Sequence, residues 1–147
     1  MQRLSQAILG ASSLVQSVIP HLLEQTPAAY HEYNCRVLEE NAEAFVRAMQ
    51  GVAGMSVVAP RAAMYCMVSV ELARFPEFPS EVELAQALLH EQQVFVLPGS
   101  CFTMPGYFRV VLCAPAATLR EAAGRIAAFA AAHCVASPPP ADATVKV

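Results

Sequence analysis

Leu4, Ile8, Leu14, Val15, Val18 and Leu22 recur mostly at helical spacing, which predicts an amphipathic helix over residues 4–24. Gly10 and Pro20 punctuate it, and a break is expected near Gly10. Thr26-Pro27 has the order of a helix start, a cap-forming residue and then proline in the first turn. The second helix is expected to run through Tyr30, Tyr33, Val37, Phe45 and Met49 and to stop near Gly51 and Gly54. At about 24 residues it is roughly twice the usual globular length, as for a helix that braces something larger.

Beyond residue 54 the period shortens. Met55–Val58 and Met64–Val70 read as strands separated by Pro60, and Phe75-Pro76-Glu77-Phe78-Pro79 as a stiff loop. Ser80 and Glu83 match the spacing of a capping box at the start of a third helix. Val94–Leu97 and Tyr107–Cys113 follow as strands, with Pro98-Gly99 and Pro105-Gly106 in the loop between them. Pro115 opens a last helix to about His133, with Leu119, Ala123, Ile126 and Phe129 on one side. The order is two helices and then ββαββα, an α+β layer with one sheet and helices packed on it. The chain divides into a helical segment at 1–54, an α+β domain at 55–134 and a proline-rich tail at 135–147. The tail has no core face and is expected to be disordered.

Composition narrows the class. A chain of 147 residues holds one domain with a real core. It is 56% hydrophobic and only 14% charged, against about a quarter charged in average soluble domains. That leaves more apolar surface than a lone small domain needs. A net charge of −3 with scattered basic residues gives no footprint for nucleic acid. No apolar run approaches the ~18 residues of a membrane span. The first 23 residues hold one arginine, Arg3, where a transit peptide would hold more, so they read as a buried helix. Nothing marks the chain as secreted. Cys35, Cys66, Cys101, Cys113 and Cys134 are widely spaced and form no metal motif, so they read as reduced core thiols of a cytosolic protein. His21, His31, His90 and His133 make no ligand pair and receive no functional role.

One residue interrupts this apolar pattern. Arg109 lies inside Tyr107-Phe108-Arg109-Val110-Val111-Leu112, where a guanidinium is costly unless paired. The period-2 alternation of strands favours an arginine that faces outward or bonds a glutamate. The alternative is an anion site, in which the planar fork holds a carboxylate by two parallel hydrogen bonds.

The segments around Arg109 tilt this balance. Leu97-Pro98-Gly99-Ser100-Cys101-Phe102 followed by Pro105-Gly106-Tyr107-Phe108-Arg109-Val110-Val111 resembles the end of the tyrosine aminotransferase family, class I pyridoxal-phosphate-dependent enzymes. Pro60-Arg61-Ala62-Ala63-Met64-Tyr65 resembles that family's P-x-G-A-M-Y segment, and Phe75-Pro76-Glu77-Phe78 its following loop. Arg3-Leu4-Ser5-Gln6, Ile8-Leu9-Gly10 and Gln25-Thr26-Pro27 resemble the stretch after the cofactor lysine. The resemblance spans about residues 2–134, in order, and several short motifs in register are far more specific than one. It implies the C-terminal small domain of a fold-type-I aminotransferase, with Arg109 binding the substrate α-carboxylate. It also implies Tyr65 near the substrate side chain (a sheet-core tyrosine being the other reading) and Leu9 and Gly10 near the cofactor phosphate of a neighbouring subunit. An amino acid and a 2-oxo acid as substrates, a homodimer, a role in tyrosine catabolism and a cytoplasmic or mitochondrial location follow from the same resemblance.

Two departures stand out. The family's glycine in G-A-M-Y is Ala62 here, which would add strain if that backbone needs positive φ. Its glycine-proline in the first helix is Gly10-Ala11. Transamination also needs a lysine that holds pyridoxal phosphate and an acid on the pyridinium nitrogen. The chain has one lysine, Lys146, and one aspartate, Asp142, both in the tail, and no tryptophan. The expectation is therefore a fragment that is catalytically silent alone and binds no pyridoxal phosphate by itself. The competing reading is a non-catalytic module that binds an amino acid or a partner protein. A thiol enzyme using Cys101 lacks a histidine in a recognisable setting.

Overall fold

The N-terminal helical stretch divides at Thr26-Pro27. The computed structural model of the chain describes residues 10–136. Helix α1 spans Ser13–Gln25 after a bend at Gly10, and Pro20 lies inside it without ending it. Thr26 closes α1 by donating its amide to the Leu22 carbonyl at 3.1 Å. Helix α2 then spans Ala28–Ala48. None of the residues of α1 is buried, and Leu14, Leu22 and Leu23 are strongly exposed. The chain divides into two compact units between Arg36 and Val37, inside α2.

In the second unit, α2 ends at a glycine turn that leads into a four-stranded antiparallel sheet. Its strands are β1 (Met55–Val58), β2 (Tyr65–Val70), β3 (Leu97–Pro98) and β4 (Tyr107–Val111), in the spatial order β1-β2-β4-β3. Gly54 has φ +71°, and a Cβ there would sit 2.7 Å from the Phe75 ring, so both backbone conformation and space require glycine. Helices α3 (Glu81–Gln92) and α4 (Ala116–His133) complete the α+β layer.

Alternation along the strands separates two faces. Cys66, Val68 and Val70 of β2 and Phe108 and Val110 of β4 are buried, and they pack with Phe45, Leu84, Leu88, Ile126 and Phe129. Burying such a side chain contributes roughly 2–3 kcal/mol. The Cys66 thiol is pushed up to about 11 by that burial. Cys35, Cys101 and Cys113 are exposed, which corrects the expectation that all five cysteines fill the core. Buried Asn41 of α2 donates to the carbonyls of Leu112 (2.9 Å) and Ala114 (3.0 Å), satisfying backbone that leaves the sheet.

Several strand boundaries differ from expectation, β2 beginning at Tyr65 rather than Met64. Val94 and Val96 are buried around exposed Phe95, so the expected alternation is present. Only Leu97 and Pro98 pair with β4, however, and Val94 and Val96 turn their side chains into the core without joining the ladder. β4 stops at Val111, and Leu112 instead donates to the Met64 carbonyl at 2.8 Å. The tail expected to be disordered lies mostly outside the described residues. Its first residue, Val135, donates to the Arg74 carbonyl at 2.9 Å.

His133, in the last turn of α4, bridges two carboxylates. Nδ1 lies 2.8 Å from Glu77 Oε2 and Nε2 lies 2.8 Å from Glu91 Oε2. Only the imidazolium donates from both nitrogens. Glu91 foremost, with Glu77 and against the cost of burial, raises the His133 pKa above its ordinary 6.5. A folded value above the unfolded one gives stability that is complete below about pH 6.5 and lost as pH rises through the folded value. The melting temperature is therefore expected to fall over that window, and His133→Gln to flatten the fall. Calorimetry across a pH series checks this, and an unchanged slope in the variant would exclude His133 as its source.

Candidate functional site

Arg109 is flanked along β4 by Phe108 and Val110, whose side chains point into the core, so its own side chain emerges on the opposite face. Its sheet neighbours there are Met67 on β2 and Leu97 on β3, neither able to bond a guanidinium. Two aromatic rings enclose it instead. Arg109 Cζ lies 4.2 Å from the centre of the Tyr65 ring and 4.1 Å from that of Phe102. Both distances are well inside the cation–π range.

No acid among the described residues neutralises this cation. Among the described residues Arg109 forms no salt bridge, and its Nε is enclosed without a hydrogen-bond partner. Arg47, Arg74 and Arg125 pair with glutamates three or four residues away, whereas Arg36, Arg61 and Arg120, like Arg109, form no ion pair among the described residues. A guanidinium flanked by two rings and unpaired among the described residues keeps its donors free for an acceptor.

The structure thus brings Arg109 and Tyr65 together, as two of the residues singled out in the sequence. Tyr65 begins β2, faces the same side and pairs in register with Val111. Phe102 closes the Leu97–Phe102 segment that carries the family resemblance, where the sequence assigns it no role. It ends a 3₁₀ turn, Gly99–Phe102, that follows β3. The conditional strain at Ala62 does not arise, because the left-handed residue is its neighbour Ala63, with φ 66°. Gly10 is exposed at the bend before α1, whereas Leu9 lies outside the described residues.

Glu81 was also missed. The capping box hid it, because Ser80 and Glu83 already account for the start of α3. Ser80 Oγ accepts from the Val82 amide at 3.2 Å and bonds the Glu83 carboxylate. Glu81 sits between them, only 3% exposed, and turns away from the helix. Its Oε1 accepts from the Ser100 amide at 3.0 Å and its Oε2 from the Gly106 amide at 3.2 Å. Burial pushes this carboxyl up, but the donors from Gly106, its own backbone and Ser100 outweigh it and hold the carboxyl below its usual value.

The described residues do not fit a pyridoxal-phosphate site. They contain neither a lysine nor an aspartate, since Lys146 and Asp142 both lie in residues 137–147. They also contain no group of three or more metal-ligating side chains, and no helix among them is long and apolar enough to cross a membrane. Cys101 is exposed on the 3₁₀ turn, and among the described residues no histidine hydrogen-bonds it.

Comparison with known proteins bears on the family and the fold. The family model described as aminotransferase class I and II matches residues 1–126. Tyrosine aminotransferase from Mus musculus is 38% identical over 131 residues, 89% of this chain and 29% of that protein. Tyrosine aminotransferase from Caenorhabditis elegans is 44% identical over 126 residues, 86% of this chain and 26% of that protein. The crystal structure of tyrosine aminotransferase from Leishmania infantum superposes with a TM-score of 0.81 at 35% identity, covering 90% of this chain and 33% of that one. The chain therefore spans less than a third of the length of these two curated relatives. Its α+β layer matches the small domain of fold-type-I aminotransferases, and the chain belongs to the aminotransferase class I and II family.

Proposed function

We propose that this chain is the C-terminal, substrate-carboxylate-binding part of an aromatic amino-acid aminotransferase, which moves an amino group to a 2-oxo acid. The observation that carries the reading is Arg109, a cation enclosed by Tyr65 and Phe102 and without an acid partner among the described residues. Arg109 holds the α-carboxylate of the amino acid or 2-oxo acid through its planar fork, and so fixes where the reacting carbon lies. The exposed edge of Tyr65 meets the substrate side chain. Pyridoxal phosphate is held by residues of the longer protein, and the 147-residue chain is silent by itself. The longer protein works as a cytoplasmic homodimer in tyrosine catabolism. The apolar surface that α1 exposes supports a chain that packs on more protein than it contains.

A titration of the purified chain tests this reading. Residue-resolved NMR is expected to show 3-(4-hydroxyphenyl)propanoate shifting the Arg109 Nε–Hε and Tyr65 ring signals, while the primary amide of the same acid leaves them in place. Equal responses to acid and amide would remove Arg109 as a carboxylate anchor. Pyridoxal phosphate followed by borohydride is expected to leave no specific adduct, or one at Lys146 only. A stoichiometric adduct with turnover of tyrosine would overturn the silent-part reading.

A further inference from the structure

We propose that Glu81 is a positioning residue for the carboxylate site: its buried side chain clamps the loop from Ser100 to Gly106 and thereby sets Phe102 against the Arg109 guanidinium. The inference rests on the reading of Arg109 as the anchor.

The two aromatic walls of the site are fixed in different ways. Tyr65 belongs to β2 and is held by the ladder, in register with Val111. Phe102 belongs to no strand. It lies on a short 3₁₀ turn closed by bonds from Met104 N to Gly99 O (3.0 Å) and from Thr103 N to Ser100 O (3.2 Å). Thr103 leaves that loop in the left-handed conformation, with φ 58°, and Gly106 does so with φ 79°. Such a segment has alternatives close in energy unless something outside it selects one. Glu81 supplies such contacts on both sides of Phe102, whereas the Val70 amide, donating to the Gly106 carbonyl at 2.8 Å, holds the far end only. Its two oxygens take one amide before Phe102, at Ser100, and one after it, at Gly106. The strand carrying Arg109 begins at Tyr107, directly after the second clamped amide.

Starting α3 does not require the Glu81 carboxylate, although that carboxylate also meets its own backbone N–H. Ser80 and Glu83 complete the cap of that helix, and a buried carboxylate is costly unless several N–H groups meet it. A neutral residue would fill the same space at lower cost. The carboxylate is instead matched to two amides that bracket the aromatic wall. With Phe102 held on one side and Tyr65 on the other, the guanidinium plane is set before a ligand arrives. The ordering cost of binding falls accordingly.

The test separates positioning from general stability. Glu81→Gln keeps the shape of the side chain but presents an amide nitrogen to one of the two donors. Ser80→Ala loosens the same helix start without touching the loop. In Glu81→Gln, the Arg109 Hε signal is expected to lose the ring-current shift that the flanking aromatics impose, while the Val68 and Leu88 methyl signals of the core stay in place. The dissociation constant for 3-(4-hydroxyphenyl)propanoate is expected to rise about tenfold, or roughly 1.4 kcal/mol. Ser80→Ala is expected to change neither. Glu81→Asp, which keeps the charge but is one methylene shorter, is expected to fall between and serves where Glu81→Gln does not fold. An Arg109 signal that stays in place in both Glu81 variants would overturn the clamp. So would one displaced equally by Ser80→Ala. If the Arg109 signal moves as expected while the parent chain binds acid and amide alike, the clamp stands and the anchor reading fails.

Discussion

Arg109→Leu is expected to weaken binding of 3-(4-hydroxyphenyl)propanoate roughly a hundredfold, because hydrogen bonds to charged groups contribute about 1.5–3 kcal/mol each. The same substitution is expected to leave folding stability within about 1 kcal/mol of the parent. Leucine gives up two cation–π contacts but also removes a guanidinium whose Nε is enclosed and unpartnered. It would lie among Met67, Leu97, Tyr65 and Phe102, which is apolar company. A structural arginine would show the reverse pattern, with stability lost and ligand affinity kept. Denaturant melts beside NMR titrations decide between them, and a loss above about 3 kcal/mol with unchanged carboxylate affinity would sink the anchor reading.

Arg109→Lys sharpens the comparison. Lysine keeps the charge but replaces the planar fork with a compact ammonium on a flexible stem. If attraction to the carboxylate were only coulombic, lysine would bind nearly as well as arginine. If the two rings hold a plane that meets two oxygens at once, most of the affinity is lost with the plane. The second outcome is expected from the geometry, in which both aromatic faces lie just over 4 Å from the guanidinium carbon.

Much of this was legible in the chain because it depends on periods and punctuation. The ββαββα order follows from alternation interrupted by proline and glycine, and the observed elements keep that order. The same alternation explains Arg109 itself, which emerges opposite Phe108 and Val110 as period 2 requires. Family resemblance, not alternation, is what points from that outward arginine to an anion site. Pairing across the sheet was harder to read. Val94 and Val96 alternate like strand residues, but whether the backbone joins β4 depends on distant geometry, and only Leu97 and Pro98 join.

Glu81 and Asn41 show a further limit. Each bonds backbone far along the chain, Glu81 at residues 100 and 106 and Asn41 at residues 112 and 114. Local pattern carries no trace of such partners. In Glu81 the local signal even misled, since a glutamate in the first turn of a helix reads as dipole complementation. The cysteines failed for a related reason. Thiols are apolar enough for the core and small enough for the surface, so composition alone does not place them.

Gly99→Ala is the second large effect expected, and it ties the Leu97-Pro98-Gly99 turn to the site by space alone. A Cβ at Gly99 would lie 2.0 Å from the Met104 carbonyl oxygen and 2.8 Å from that of Tyr107. Both are backbone atoms, so no side chain can swing away to make room. The Met104 amide also bonds the Gly99 carbonyl at 3.0 Å, which closes the loop onto the position that alanine would fill. Overpacking of this kind costs about 3 kcal/mol or more where the neighbours cannot move. The chain escapes that cost by opening the loop, which breaks the Met104 bond and carries Phe102 away from Arg109. The expected result is a lower melting temperature together with loss of the ring-current shift at Arg109 Hε. Glu81→Gln, by contrast, is expected to lose the shift with its core signals in place. If Gly99→Ala melted like the parent and kept the Arg109 signal, the close packing of residues 99–107 would not be what holds the aromatic wall.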